Sequence, residues 1–293
     1  MFKTRRGRAE LFLFATTFIW GGTFVVVKVG LGDFSPVLLV ALRFSLAALV
    51  LFVFGLKRIL RIDRVLLWKG SLLGSLLFLG FALQTIGLND TTASKSAFIT
   101  GLMVIFTPVF QFAIEKRVPK LGNLVGVAVV TAGLWLLTSP SGAGFTRGDA
   151  LTLLCAAVFG LYIVMLDLFS KATEPLPLTF VQMLTPAILG WTTLPLLETP
   201  VWHPTANAIT VLLYCALLGN VLSSYVQTRY QRDTTPTRAA IIFTVEPLWA
   251  SILGYLMLKE MIGYWGMAGG ALIIAGILVS ELSDSVPSPP AEG

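Results

Sequence analysis

The chain has 293 residues, of which 56% are hydrophobic and only 12% charged. A soluble chain carries about 25% charged residues, so this one cannot cover a water-soluble surface, and a cytosolic enzyme, a disordered chain and a disulfide-stapled secreted domain are excluded. The net charge of +6 would suit a nucleic-acid partner, but the placement of the charges argues against one.

A bilayer core of about 30 Å needs about 20 apolar residues of helix. Ten runs meet that length: 11–29, 36–56, 66–88, 96–114, 121–138, 150–169, 177–197, 208–228, 239–258 and 263–280. In lipid every backbone polar group must be satisfied within the segment, so each run is predicted to be a transmembrane α-helix. The fold class is therefore an all-α polytopic membrane protein. The first run follows Lys3, Arg5, Arg6 and Arg8, but it is too long for a signal peptide and lacks a small-x-small cleavage site, so it is read as a retained helix. The separators carry turn chemistry: Gly30-Leu31-Gly32-Asp33, Ser139-Pro140-Ser141-Gly142 and His203-Pro204-Thr205. The Ser/Pro-rich stretch 284–293 reads as a disordered tail. Cys155 and Cys215 lie inside apolar runs and read as small buried hydrophobes.

Basic residues orient a membrane protein. With the N-terminus inside, sixteen Lys and Arg fall in inside segments and three, Lys95, Arg147 and Lys259, fall outside. Both termini are expected in the cytoplasm and the protein in the cell (inner) membrane. The basic charge is a topology signal, so the lipid bilayer is the expected partner and nucleic acid is not.

The two halves of the chain repeat. At an offset of 139, Trp20-Gly21 faces Phe159-Gly160 and Pro36 faces Pro175. At an offset of 143, Gln84-Thr85 matches Gln227-Thr228, Asp90-Thr91-Thr92 matches Asp233-Thr234-Thr235, Lys95 matches Arg238, Gly126 matches Gly269, and Ala132-Gly133 matches Ala275-Gly276. Pro108 and Pro247 align only at 139, which asks for compensating four-residue gaps. With five spans per half, the second half enters the membrane upside down. Inverted repeats are a transporter architecture, with a site near the midplane.

These residues carry a family resemblance. Trp20-Gly21-Gly22-Thr23-Phe24 with Lys28, Pro36 and Arg43-Phe44, then Ser96 to Thr100, Pro108 and Gly126 to Gly133, resemble an EamA-type domain of the drug/metabolite transporter superfamily. Gly148-Asp149, Ala239-Ala240, Glu246-Pro247 and Glu260 to Gly276 resemble a second copy. The resemblance implies two EamA-like repeats, 10–138 and 149–281, with ten helices in two inverted five-helix units. It also implies a carrier with metabolite export as its commonest role and no cofactor. The first copy has Thr107-Pro108 where the second has Glu246-Pro247, so an acidic site would be one-sided.

Charges within a span are costly and point to function. Five occur. Lys28, Lys69 and Asp167 lie near span ends, where they can snorkel to the interface. Arg43 and Glu246 each lie seven residues, about 10 Å, inside their spans. Two readings stay open: the pair neutralise each other and lock the bundle, or Glu246 lines a cavity and binds a proton or an amino group while Arg43 holds a carboxylate or a helix-end carbonyl. Pro108, Pro186 and Pro247 free the carbonyls of Val104, Gln182 and Phe243, which suits a cavity or a simple kink. Gln84, Gln111, Gln182, Asn220 and Gln227 are interhelical hydrogen bonders or cavity polars, and Trp20, Tyr162 and Tyr225 are packing or aromatic walls. The candidate substrate-binding set is Glu246, Arg43, Trp20, Thr23, Gln84, Gln182, Tyr162, Tyr225, Gln227 and Phe243. Gly122-x-x-x-Gly126 and Gly266-x-x-x-Gly270 read as packing of the fifth helix on the tenth, with a homodimer seam as the alternative.

No phosphate loop or Cys/His cluster is present, and His203, the only histidine, sits in a Pro-flanked loop. An ATP-driven pump, a membrane metalloprotease and a haem carrier lose their chemistry, and no catalytic or metal-ligating residue is assigned. The expected function is secondary transport of a small organic metabolite, such as an amino acid or related compound, outward by alternating access, with proton coupling through Glu246. The alternatives are a flippase for lipid-linked or drug-like solutes and a non-transporting membrane scaffold.

Overall fold

The computed structural model describes residues 4–116, 120–137, 146–260 and 264–285. They form ten helices: α1 Arg5–Gly30, α2 Pro36–Ile59, α3 Arg64–Gly87, α4 Ala93–Glu115, α5 Leu121–Leu137, α6 Arg147–Ser170, α7 Pro175–Leu197, α8 Ala206–Asp233, α9 Pro236–Leu258 and α10 Tyr264–Ser285. Eight are long and apolar enough to cross a bilayer, and α5 and α10 contain shorter apolar stretches. Large hydrophobics such as Phe54, Leu196, Trp68 and Trp135 point outward, as a lipid-facing surface requires. The fold is the all-α polytopic bundle of two inverted five-helix repeats.

The helix starts follow from local chemistry. Thr4, Asp63, Thr92, Thr146, Thr205 and Thr235 are N-caps whose side chains accept backbone N–H bonds. Pro36, Pro175 and Pro236 occupy first-turn positions, where a missing N–H costs nothing. The loops 31–35 and 198–205 pair through Phe34 and Trp202, whose rings stack. Asp33 accepts from Thr205 and Asn207 at 2.9 Å each.

Inter-repeat packing is reciprocal. The helix α3 packs on α6 and α7 as α8 packs on α1 and α2, and α4 packs on α6 as α9 packs on α1; α2 meets α7 and α5 meets α10. Glycines permit the closest approaches. A Cβ on Gly21 would lie 2.5 Å from Trp249 Cβ of α9, and one on Gly160, its equivalent at offset 139, would lie 2.9 Å from Phe106 Cβ of α4. On the α5–α10 seam a Cβ on Gly133 would meet the Gly269 carbonyl at 2.7 Å, and one on Gly276 the Gly126 carbonyl at 3.0 Å. The fifth helix packs on the tenth as expected, with Gly126 and Gly133 facing Gly269 and Gly276.

Both α4 and α9 are broken at mid-length. The helix α4 ends its first half at Gly101 and resumes at Met103; α9 ends its first half at Phe243 and resumes at Glu246. The break is a tightened turn: Leu102 donates to Ile99, and Val245 to Ile242. Pro247, which cannot donate, sits in the first turn of the resumed helix. The caps Thr92 and Thr235, the breaks at Leu102 and Val245, and the left-handed end residues Lys116 (φ 57°) and Lys259 (φ 60°) all correspond at 143. This corrects two expectations. No compensating gap around the prolines is needed, because Pro108 lies six residues beyond its break and Pro247 two; the one shift, from 139 to 143, falls between the second and third helices of each repeat. The residue equivalent to Glu246 is Met103, not Thr107.

The segment 284–293 is also corrected in part. Asp284 and Ser285 belong to α10, while the rest lies outside the described residues, as does the turn Ser139 to Gly142.

Candidate functional site

A cavity of about 60 Å³ lies between the repeats, room for a few waters and well below a drug-sized pocket of about 300 Å³. Fourteen of its fifteen lining residues form pseudo-two-fold pairs. At offset 139, α1 and α6 supply Trp20 with Phe159, Thr23 with Tyr162, and Phe24 with Ile163. At offset 143, α3 and α8 supply Phe81 with Ser224 and Gln84 with Gln227, and α4 and α9 supply Thr100 with Phe243 and Met103 with Glu246. The unmatched residue is Leu77, whose equivalent, Asn220, stands behind the wall.

Seven of the ten sequence-predicted site residues line this cavity: Glu246, Trp20, Thr23, Gln84, Tyr162, Gln227 and Phe243. Three do not. Arg43 is fully buried behind the wall, donating to Asn220 Oδ1 at 2.7 Å, with its guanidinium carbon 4.6 Å from the Phe81 ring centroid and 5.6 Å from that of Phe44. It forms no ion pair with Glu246, so the mutual-neutralisation reading does not hold. Asn220 reaches Arg43 from a π-helical stretch of α8, Tyr214–Leu222, and π-bulges recur where a helix must re-aim its groups. Gln182, the equivalent of Arg43 at 139, accepts from the Tyr162 hydroxyl at 2.7 Å and faces Thr228. Tyr225 is half-buried and off the cavity.

Four of the lining side chains each engage one donor within the protein. Trp20 Nε1 donates to the Gly219 carbonyl at 3.0 Å, Thr23 to the Trp20 carbonyl at 2.6 Å, Gln84 Nε2 to Thr100 at 3.1 Å, and Gln227 Nε2 to Gln231 at 2.9 Å. The carboxylate of Glu246 has no hydrogen-bond or ion-pair partner among the described residues. It begins the second half of α9, where the positive helix end favours an acid. Gln111 accepts from Thr237 at 2.7 Å and ties α4 to α9. Lys28 donates to the carbonyls of Leu88 and Thr91, Lys69 lies over the Phe169 ring, and Asp167 pairs with Lys171.

Sequence reasoning missed two ion clusters at the two faces of the bundle. At the face carrying the N-terminus, one Glu10 oxygen accepts from Arg238 (2.8 Å), Thr234 (2.8 Å) and Arg6 (3.0 Å). At the far face, Asp149 accepts from Lys95 (2.6 Å) and Thr91 (2.8 Å). Glu10 and Asp149 correspond at 139, Arg238 and Lys95 at 143, and Thr234 and Thr91 at 143. Each cluster joins the first helix of one repeat to the start of the fourth helix of the other. Arg5 adds a pair with Asp233 at the N-terminal face, and Glu260 accepts from the backbone of Ala93 and Ser94 at the far face. The signal was present: the basic and threonine members were matched in the repeat alignment, while the two acids lay one residue outside the expected spans.

An inverted-repeat helical bundle with a central cavity between the repeats and matched ion clusters at its two faces has the architecture of a membrane transporter. The EamA-like transporter family matches residues 7–139 and 146–282, so the chain belongs to that family and is a multi-pass membrane transporter rather than a member of an enzyme family. An "uncharacterized transporter" of Archaeoglobus fulgidus is 31% identical, covering 95% of this chain and 87% of that protein. The Escherichia coli "uncharacterized inner membrane transporter YedA" is 26% identical, covering 92% and 89%. A solved crystal structure shares the fold with a TM-score of 0.80 at 19% identity, covering 97% of this chain and 100% of that one.

Proposed function

We propose that the protein is a secondary transporter that exports a small organic solute across the cytoplasmic membrane by alternating access. The observation that carries the reading is the pair of symmetry-related ion clusters, Glu10 with Arg238 and Thr234, and Asp149 with Lys95 and Thr91, at opposite faces of the bundle. Each cluster joins the two repeats, so rocking one repeat against the other breaks one and keeps the other. The sixteen-to-three basic bias favours the cytoplasmic side for the Glu10 cluster and both termini. Glu246 is the group through which a proton, or a cationic part of the solute, couples to the movement.

The test is the extracellular metabolite profile of cells carrying the wild-type protein, no protein, or Glu246→Gln. At least one small organic solute accumulates outside only with the wild type. A profile identical in all three strains refutes export, and release that Glu246→Gln leaves unchanged removes Glu246 from the mechanism.

A further inference from the structure

The geometry points to the substrate's chemical class: an organic cation without a carboxylate, its ammonium seated on Glu246 and its apolar body against the rings of Trp20, Phe159 and Phe243. This rests on the central cavity being the transport site.

Charge comes first. Among the fifteen lining residues only Glu246 carries a charge, and none is a cation. Arg43 is committed to Asn220 and to the Phe81 and Phe44 rings behind the wall. Lys95 and Arg238 are engaged at the two ends. The counterpart of Glu246 across the pseudo-two-fold is Met103, a thioether where a second ionic group would have to stand to receive a carboxylate.

Hydrogen-bond polarity points the same way. One donor each on Trp20, Thr23, Gln84, Tyr162 and Gln227 is engaged by another protein group. The Glu246 carboxylate and the amide oxygens of Gln84 and Gln227 receive no bond among the described residues, so acceptors are at hand in the lining. An ammonium supplies three donors and no acceptor. Six of the lining residues are aromatic, and aromatic faces attract cations, more strongly where water is excluded. A substrate carboxylate here would lose its hydration with no cation to replace it, so both an amino-acid zwitterion and an organic anion are disfavoured.

The experiment is calorimetric titration of the purified full chain in lipid nanodiscs with four matched probes: 2-phenylethylammonium (cation), 2-phenylethanol (neutral), phenylalanine (zwitterion) and 3-phenylpropionate (anion). The cation is expected to bind at least tenfold more tightly than phenylalanine or phenylpropionate. Glu246→Gln is expected to weaken the cation at least tenfold and leave the alcohol unchanged, and Phe159→Leu to weaken the cation severalfold. The inference is overturned if phenylalanine or phenylpropionate binds as tightly as the cation, if the cation does not bind, or if Glu246→Gln leaves its affinity unchanged. Liposome flux separates the two levels of the argument. Phenylalanine flux that is lost in Glu246→Gln keeps the cavity as the transport site and removes only the cationic class; flux indifferent to Glu246→Gln removes the cavity itself.

Discussion

The two ion clusters fill equivalent positions and differ in how wet they are. At the N-terminal face the Glu10 and Arg238 side chains are 10% and 3% exposed; at the far face Asp149 is fully buried but its partner Lys95 is 28% exposed. Glu10 gathers three side-chain donors on one oxygen. Asp149 shares its acceptors between Lys95, Thr91 and the Thr146 backbone, with which it completes a capping box. When the far cluster opens, water already at Lys95 replaces the lost partner. When the N-terminal cluster opens, a guanidinium must be hydrated from the dry state. The two clusters are therefore expected to differ in strength, the far one being the cheaper to separate.

The largest effect is expected from Glu10→Ala. It leaves the Arg238 guanidinium buried without its carboxylate, and breaking a buried pair costs about 3–5 kcal/mol. Denaturant unfolding of the purified protein measures it, and the double change with Arg238→Ala should cost less than the sum of the two single changes. Lys95→Ala should be milder, about 1–2 kcal/mol, because Lys95 is part-solvated and Asp149 keeps Thr91 and Thr146. Equal losses at both ends would erase the asymmetry argued above. The smallest effect compares the two halves of the cavity. Met103→Glu in a Glu246→Gln background moves the acid across the pseudo-two-fold, and cation binding should return to within about tenfold of wild type, about 1.4 kcal/mol. No recovery on titration would mean that the two half-helix starts are not functionally interchangeable.

Depth was legible in the sequence and azimuth was not. The repeat offsets, read from scarce polar residues, located Gln84 and Gln227 as a pair, and both line the cavity. Tyr225 reads as an aromatic wall with Trp20 and Tyr162, yet it lies two residues from Gln227, and two residues turn a helix by about 200°, which takes Tyr225 off the cavity. Arg43 lies at mid-depth as expected, but its direction depends on Asn220, and the π-helical stretch that presents Asn220 leaves no mark in an apolar run. The break in α9 follows from Pro247, whereas that in α4 sits six residues from Pro108 and is set by the turn at Leu102, which no proline announces. Glu10 and Asp149 were hidden for a different reason. Intramembrane charges were sought within the apolar runs, and the helices begin earlier than those runs, at Arg5 and Arg147.

The central claim is that the two clusters open alternately. Spin-label distances test it on symmetry-matched exposed sites, Arg8 with Thr235 at the N-terminal face and Arg147 with Thr92 at the far face, in a background with Cys155 and Cys215 replaced. Thr235 and Thr92 are both helix caps, so labelling perturbs the two faces alike. Glu10→Gln is expected to lengthen the Arg8–Thr235 distance while Arg147–Thr92 stays short, and Asp149→Asn to do the reverse. Both distances lengthening together in either variant, or neither changing in both variants, would contradict alternating access through these clusters.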